Sequence, residues 1–379
     1  METFDLLLKN GRILDPSQNL DLIGDVAIKG KKIAYAGPKV EANAKRTFDM
    51  TNLLICPGLF DVHTHINYRG QANGMPPDLA DIPYGVTYVF DAGSTGISAY
   101  RALADMLSLR DVRSKLALNV SPIGLIMTTK ANESVDPALW DMDAFEEAID
   151  YCGDRFWGFK IRISKHIVGN LGLYPLEKTI ELAERYGKKV MIHATNPPEE
   201  MGVVSEMLRP GDILSHVYHG TGLDIFTSGI LDEKVRASQK RGVIMDVSPG
   251  MGNFSLAVAK RAIAEGFYPD TISTDLNTTN WNNPMVFSLT AVMSKFLAMG
   301  MSLPEVIRTV TSNAAKAMQE DGLGTLKAGT PADITVLKLI PKKFQHFDKF
   351  GNTLDSDQML TAAMTVVNGR VLYQSTETL

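Results

Sequence analysis

Eight short apolar segments separated by helical stretches fill the middle of this chain, and they constrain its fold more than any other feature. The segments are Leu59 to His65, Val86 to Ala92, Leu116 to Ile123, Phe156 to Ser164, Lys189 to Ala194, Ile213 to Tyr218, Val243 to Ser248 and Thr271 to Asp275. Between them lie helical patterns such as Ala99 to Leu109, Ala144 to Tyr151, Leu176 to Tyr186, Ser255 to Glu265 and, further on, Leu303 to Val310. Such alternation builds a parallel sheet, because a parallel neighbour needs a crossover long enough to hold a helix. His65, Asp91, Gly124, Lys160, His193, His216, Asp246 and Asp275 recur 23 to 36 residues apart, which suits successive βα units. Eight units predict an α/β chain closed into a (β/α)8 TIM barrel. That fold places its chemistry at the C-terminal ends of the strands, where these polar residues fall, whereas a doubly wound sheet uses fewer strand ends.

The two ends of the chain read differently. Phe4 to Lys9, Asn10-Gly11, Asp25 to Ile28, Gly30-Lys31-Lys32 and Ile33 to Ala36 look like hairpins of a small sheet. Asp333 to Leu339 reads as a strand, and Ala362 to Val367, Asn368-Gly369 and Arg370 to Tyr373 as a hairpin with the Asn-Gly turn that favours type I′. The two terminal β pieces are expected to pair into one small domain.

Composition sets limits on function. Of 379 residues, 38 are Lys or Arg and 43 Asp or Glu, a net charge of −5 with no long run of one sign. Nothing here suggests nucleic acid or an anionic membrane surface as a partner. Cys56 and Cys152 lie far apart and outside any Cys/His cluster, so they read as buried thiols rather than a disulfide or zinc ribbon. The first residues lack a basic stretch followed by an apolar one, and nowhere do about 18 apolar residues run together. A cytoplasmic protein with a small-molecule substrate is expected, and a homo-oligomer is left open.

The chemistry concentrates at the strand ends. In His63-Thr64-His65 the two-residue period of a strand puts both imidazoles on one face, close enough to share a metal. His193 and His216 each follow apolar strand residues, where a neutral imidazole needs partners for its ring nitrogens. Four strand-end histidines converging on one axis point to a metal site. Asp275 ends the last strand, which in a closed barrel lies beside the first. There it can ligate a metal and move a proton from water to a leaving group, or it can cap a helix. Lys160 sits among apolar residues; burial lowers an amine's pKa, and a neutral amine can take up carbon dioxide to become an anionic carbamate. Its alternative is a pairing with an acidic group.

Together, Pro57-Gly58-Leu59-Phe60-Asp61-Val62-His63-Thr64-His65, Tyr84-Gly85-Val86-Thr87, the four histidines, Lys160, Asp275 and the segment Gly324 to Asp333 resemble the amidohydrolase superfamily. The resemblance implies a (β/α)8 barrel over 56–324 and a small β-sandwich built from 1–55 and 325–379. It implies two divalent ions, usually zinc in this family: His63, His65 and Asp275 on one, His193 and His216 on the other, with carboxylated Lys160 and a hydroxide bridging them. Within the superfamily the segment Gly158-Phe159-Lys160-Ile161-Arg162 is similar to that of deacetylase-like members, which implies hydrolysis of an N-acetyl amino acid or an O-acetyl α-hydroxy acid. A dihydroorotase-like or hydantoinase-like cyclic-amide hydrolase is the alternative, but dihydroorotases carry an arginine where this chain has Asn67. A deaminase is disfavoured, since His193 is followed by Ala194-Thr195-Asn196 rather than by a nearby glutamate.

Other residues leave choices open. Arg162 shares the face of Lys160 and can clamp a substrate carboxylate or form an internal salt bridge. His219 can donate to a substrate oxygen or cap a loop. Ser248 to Asn253 can meet an anion at a helix N-terminus, Trp281 can line the pocket mouth or pack a loop, and Asp91 can orient a ligand imidazole or serve as a cap. His166 and His346 fall off the strand-end pattern and read as surface residues.

Overall fold

Two sheets divide the chain, and each draws its strands from the stretches expected. The fold is that of a computed structural model, which describes residues 3–128 and 130–378. Strand β1 (Thr3–Asp15) pairs antiparallel with β2 (Leu20–Lys29), which pairs with β3 (Lys32–Gly37), while β4 (Asn43–Asp49) and β5 (Leu54–Pro57) run parallel to β1. The chain then enters a parallel sheet of β6 (Leu59–Thr64), β7 (Val86–Ala92), β8 (Arg113–Asn119), β9 (Phe156–Arg162), β10 (Lys189–His193), β11 (Ile213–Ser215) and β12 (Ile244–Asp246), each beside the one before it. It returns through β13 (Ile334–Phe347), β14 (Thr353–Val367) and β15 (Arg370–Gln374), and β13 docks antiparallel on β5. Strands from both ends thus make one eight-stranded sheet, and Leu8, Ile13, Val26, Ile28, Ile55, Ile334, Val336, Met364 and Val366 share one apolar core.

The parallel sheet closes into a barrel, but its eighth member is extended chain rather than a regular strand. Residues 271–276 bridge β12 at Asp246–Thr271 and β6 at Thr64–Leu276, and they exchange backbone bonds with both neighbours, His65 N to Leu276 O at 2.8 Å and Val247 N to Thr271 O at 3.2 Å. The ladder stops early for a local reason. His216, Ser248 and Asp275 all have positive φ, at 68°, 34° and 58°, a region that side chains other than glycine occupy at a cost.

Helices pack outside the barrel as their apolar spacing requires. Met142–Cys152 starts on the Asp141 side chain, which accepts from Ala144 N, and buries Phe145, Ala148 and Cys152 along one stripe. Leu303–Thr309 opens on a capping box between Ser302 and Glu305. Among the described residues no helix is long and apolar enough to cross a membrane.

The structure departs from the sequence reading in three places. Asn10-Gly11 is no hairpin turn: it is a bulge inside β1, where Asn10 takes φ 63° and its N–H turns to Asp25. The C-terminal hairpin turns at Asn368 and Gly369, both with positive φ, but β13 and β14 run well beyond the expected strands. Their far end carries His346 into the protein, where it is 1% exposed, while His166 is exposed as expected. Cys56 and Cys152 are both free and buried, and burial pushes both thiols up.

Candidate metal centre and active site

The strand ends of the barrel place Lys160, His63, His65, His193 and Asp275 around one cavity of about 160 Å³, with Arg162, Asn253, Asn277, Gln71, Asn73, Leu125 and Thr128 completing its wall. Nε2 of His65 lies 3.1 Å from Asp275 Oδ1, and Nε2 of His63 lies 3.7 Å from the same oxygen. One ligand atom from each of the three falls within 4.8 Å of the others. His216 completes the cluster, its ring centred 5.0 Å from that of His63 and 4.3 Å from that of His193.

Hydrogen bonds behind the imidazoles decide which nitrogen faces forward. Ser94 Oγ donates to Asp91 Oδ2 at 2.8 Å, so the same hydroxyl accepts from His65 Nδ1 at 3.0 Å. His65 Nδ1 therefore donates to Ser94, and Nε2 is the nitrogen that faces the Asp275 carboxylate. His63 Nδ1 faces Ser215 Oγ at 3.1 Å and Asp246 Oδ2 at 3.5 Å, which likewise holds its proton at the back. His216 Nδ1 points at the carbonyl of Ser248 at 2.7 Å, leaving its buried Nε2 without a protein partner. The buried, unpartnered Nε2 of His216 and the Nε2 atoms of His63 and His65 gathered at one carboxylate oxygen form a donor cluster that a cation would satisfy. The donor set is one that a divalent ion fits.

Electrostatics agree with that reading. Burial drives the imidazoles of His63 and His193 well below their usual range and that of His216 down to about 3, so all three are neutral ligands. Burial pushes the Asp275 carboxyl up, but the His65 contact and the surrounding nitrogens outweigh it and hold it below the usual value. Lys160 is buried and its amine is lowered to about 7, mainly by desolvation and in spite of the Asp275 and Asp246 charges. Among the described residues no carboxylate forms an ion pair with it, and its Nζ lies 3.5 Å from His63 Nε2. An internal acidic partner for Lys160 is therefore not what the fold provides.

Several open choices resolve into contacts. Asp275 begins no helix; its backbone carbonyl instead accepts from the side-chain amides of Asn280 at 2.7 Å and Asn277 at 3.1 Å, which brace its left-handed turn. Asp91 reaches His65 through Ser94. Arg162 faces the cavity and pairs with buried Glu133, Nη1 to Oε2 at 3.1 Å, while its Nε is buried without a partner. His219 is buried outside the cavity wall, and its Nδ1 accepts from Thr221 N at 2.9 Å. The helix Leu256–Ala264 does meet an anion at its N-terminus, but that anion is the carboxylate of Asp348 at 2.9 Å from Leu256 N. Trp281 sits half-buried in the loop beyond Asp275 and touches the core.

Sequence reasoning missed Glu133, Gln71, Asn73, Asn253 and Asn277. Asn253 lay inside the glycine-containing turn noted above, and Gln71 and Asn73 just beyond the paired histidines. Glu133 gave no signal, since its loop has no period and an acidic residue there is ordinarily solvated.

The barrel and the small sheet, with a strand-end cluster that could hold a metal, fit a class of hydrolases, and comparison with known proteins agrees. Residues 54–372 match the Amidohydrolase family. The chain is 30% identical to a deacetylase of Agrobacterium fabrum over 355 residues, 93% of this chain and 87% of that protein. It superposes on the crystal structure of an adenine deaminase with a TM-score of 0.91 at 26% identity, covering 98% of this chain and all of that one. A dihydroorotase crystal structure gives 0.88 at 28% identity, with 98% of both chains covered. The chain belongs to the Amidohydrolase family and is a hydrolase acting on amide bonds.

Proposed function

We propose that this protein is a two-metal deacetylase that releases the acetyl group from an N-acetyl amino acid or an O-acetyl α-hydroxy acid. The observation that carries the reading is the pair of imidazole Nε2 atoms gathered at Asp275 Oδ1, beside a buried amine with no acidic partner. In this reading His63, His65 and Asp275 would hold one ion, His193 and His216 would hold the other, and Lys160, once carboxylated, would add an anionic oxygen ligand. Bound divalent ions, zinc by preference for such nitrogen and oxygen donors, supply Lewis-acid polarisation of the acyl carbonyl and activate water.

The chain's own groups do the rest. Asp275 accepts a proton from the water and hands it to the departing nitrogen or oxygen of the substrate, a transfer worth roughly 10²–10⁴ in rate. Arg162 binds the carboxylate that an acylated amino or hydroxy acid carries, with Glu133 holding the guanidinium from behind. His219, expected as a second donor to the substrate, lies outside the cavity wall and takes no part in this reading. The domain division at 1–55 with 325–379 and at 56–324 leaves all of these groups on the barrel. The deacetylase named among the relatives supports the acetyl class.

The test is a substrate panel on protein loaded with zinc. N-acetyl amino acids and O-acetyl α-hydroxy acids should release acetate. Turnover of hydantoin or dihydroorotate instead would move the assignment to a cyclic-amide hydrolase, and ammonia release from adenine would make it a deaminase. Plasma mass spectrometry should find about two metal equivalents per chain, and one equivalent would refute the two-ion arrangement.

A further inference from the structure

The turn after β12 touches both sides of the metal centre. Ser248, at its start, supplies the carbonyl that fixes the His216 tautomer. Asn253, at its end, donates from Nδ2 to Asp275 Oδ2 at 3.2 Å. The opposite end of the same amide, Oδ1, accepts from Thr195 Oγ1 at 2.9 Å, two residues beyond His193. The amide cannot turn round, because an ionised carboxylate only accepts and the carbonyl end would face it with a second acceptor. Between Ser248 and Asn253 the turn closes on Asp275 so tightly that a Cβ on Gly250, at φ +48°, would lie 2.2 Å from Oδ2. The residues that follow are tied down too: Ser255 N donates to Tyr218 O at 2.8 Å, and Leu256 N to Asp348.

We propose that Asn253 is a positioning residue for Asp275: it claims Oδ2, leaves Oδ1 toward His63 and His65, and so sets the rotamer in which the carboxylate moves a proton to the leaving group. Thr195 fixes the amide, and Gly250 leaves the room. The carboxylate is thus gripped on Oδ2, which fixes the direction of Oδ1. The kinetic consequence rests on the hydrolase reading above, but the geometric one does not.

Two measurements test it. The first is the rate of Asn253→Ala on a series of substituted phenyl acetates, from 4-nitrophenyl acetate to phenyl acetate, on protein of unchanged metal content. A poor leaving group needs the proton and a good one does not. The loss in kcat should be about 10- to 100-fold for phenyl acetate and within about threefold for 4-nitrophenyl acetate, with KM nearly constant. An equal loss across the series, or none, would overturn the proposal. The second is the crystal structure of the same variant, in which the Asp275 carboxylate should rotate away from its present orientation; an unmoved carboxylate would overturn the proposal as well. If the wild type cleaves none of the esters, activity on aryl esters is absent from the reading above and the crystal structure alone decides. Should Asn253→Ala not fold, Thr195→Val, which removes the donor to Asn253 Oδ1 and so loosens the amide, is judged by the same two criteria.

Discussion

The two sides of the metal centre are built to different standards. On one side every ligand is held from behind: His65 by Ser94 and Asp91, His63 by Ser215 and Asp246, Asp275 by Asn253, Asn277 and Asn280. On the other side His216 is held by Ser248, but among the described residues neither ring nitrogen of His193 has a hydrogen-bond partner, and Lys160 has no ionic one. The first side is organised by folding alone. The second has positions but lacks negative charge, and carboxylation of Lys160 would supply it. The contrast teaches that a single loss behind the ligands should weaken the braced side by degrees, whereas the other side should fail at one residue.

The largest effects come from striking each side at its centre. Asp275→Asn keeps the shape but cannot take a proton, and kcat should fall by about 10²- to 10⁴-fold with little change in the melting temperature. A variant that keeps its metals and most of its activity would show that the proton moves elsewhere. Lys160→Ala should lose both activity and metal, and short carboxylic acids should restore part of each by standing in for the carbamate. A fully loaded, active Lys160→Ala would erase the difference between the two sides.

Much of this centre was legible in the sequence because strands and ligands obey the same period. His63 and His65 sit two apart, Lys160 and Arg162 likewise, and each barrel strand announces its end by a change from apolar to polar. What stayed hidden lies where no period operates. Asn253, Gln71 and Asn73 are loop residues that matter through where the barrel brings them, and Glu133 lies in a loop that closes only in three dimensions. Asn10-Gly11 misled because a dipeptide suited to a tight turn also suits a bulge, and only pairing over the full length of β1 tells them apart. His346 misled because β13 continues past Leu339 through residues with no clear alternation, carrying the imidazole under the far end of the hairpin.

Smaller substitutions sharpen the comparison. Ser94→Ala removes the acceptor for His65 Nδ1 and leaves the Asp91 carboxylate without that hydroxyl, so metal affinity should drop about 10- to 100-fold, read by competition with a chelator. Loss of both metals together would show that the sides are not independent. Glu133→Gln leaves Arg162 without its counter-ion in a buried wall. KM for a carboxylate-bearing substrate should change by about tenfold, the scale of losing one charged contact, while kcat holds. A change in kcat without one in KM would place Arg162 near the reacting atoms instead.

The smallest effect is expected farthest from the chemistry, where the β13–β14 hairpin meets the barrel. Asp348 accepts from Leu256 N, Phe350 N, Asn352 N and the Asn352 side chain, so it caps a barrel helix and its own turn at once. Burial raises its carboxyl, but these four donors outweigh that and hold it below the usual range. A carboxyl lowered in the folded protein contributes stability that is present above its unfolded pKa of about 3.9 and fades as the pH falls through the folded value. Asp348→Ala should therefore cost about 1 kcal/mol at neutral pH, the usual worth of a helix cap, and the difference in melting temperature from wild type should narrow below about pH 4. Activity should stay near wild type, because this contact supports the residues after Asn253 and not Asn253 itself. A loss of kcat as large as that of Ser94→Ala would mean that the hairpin, and not the barrel alone, sets the geometry at Asp275.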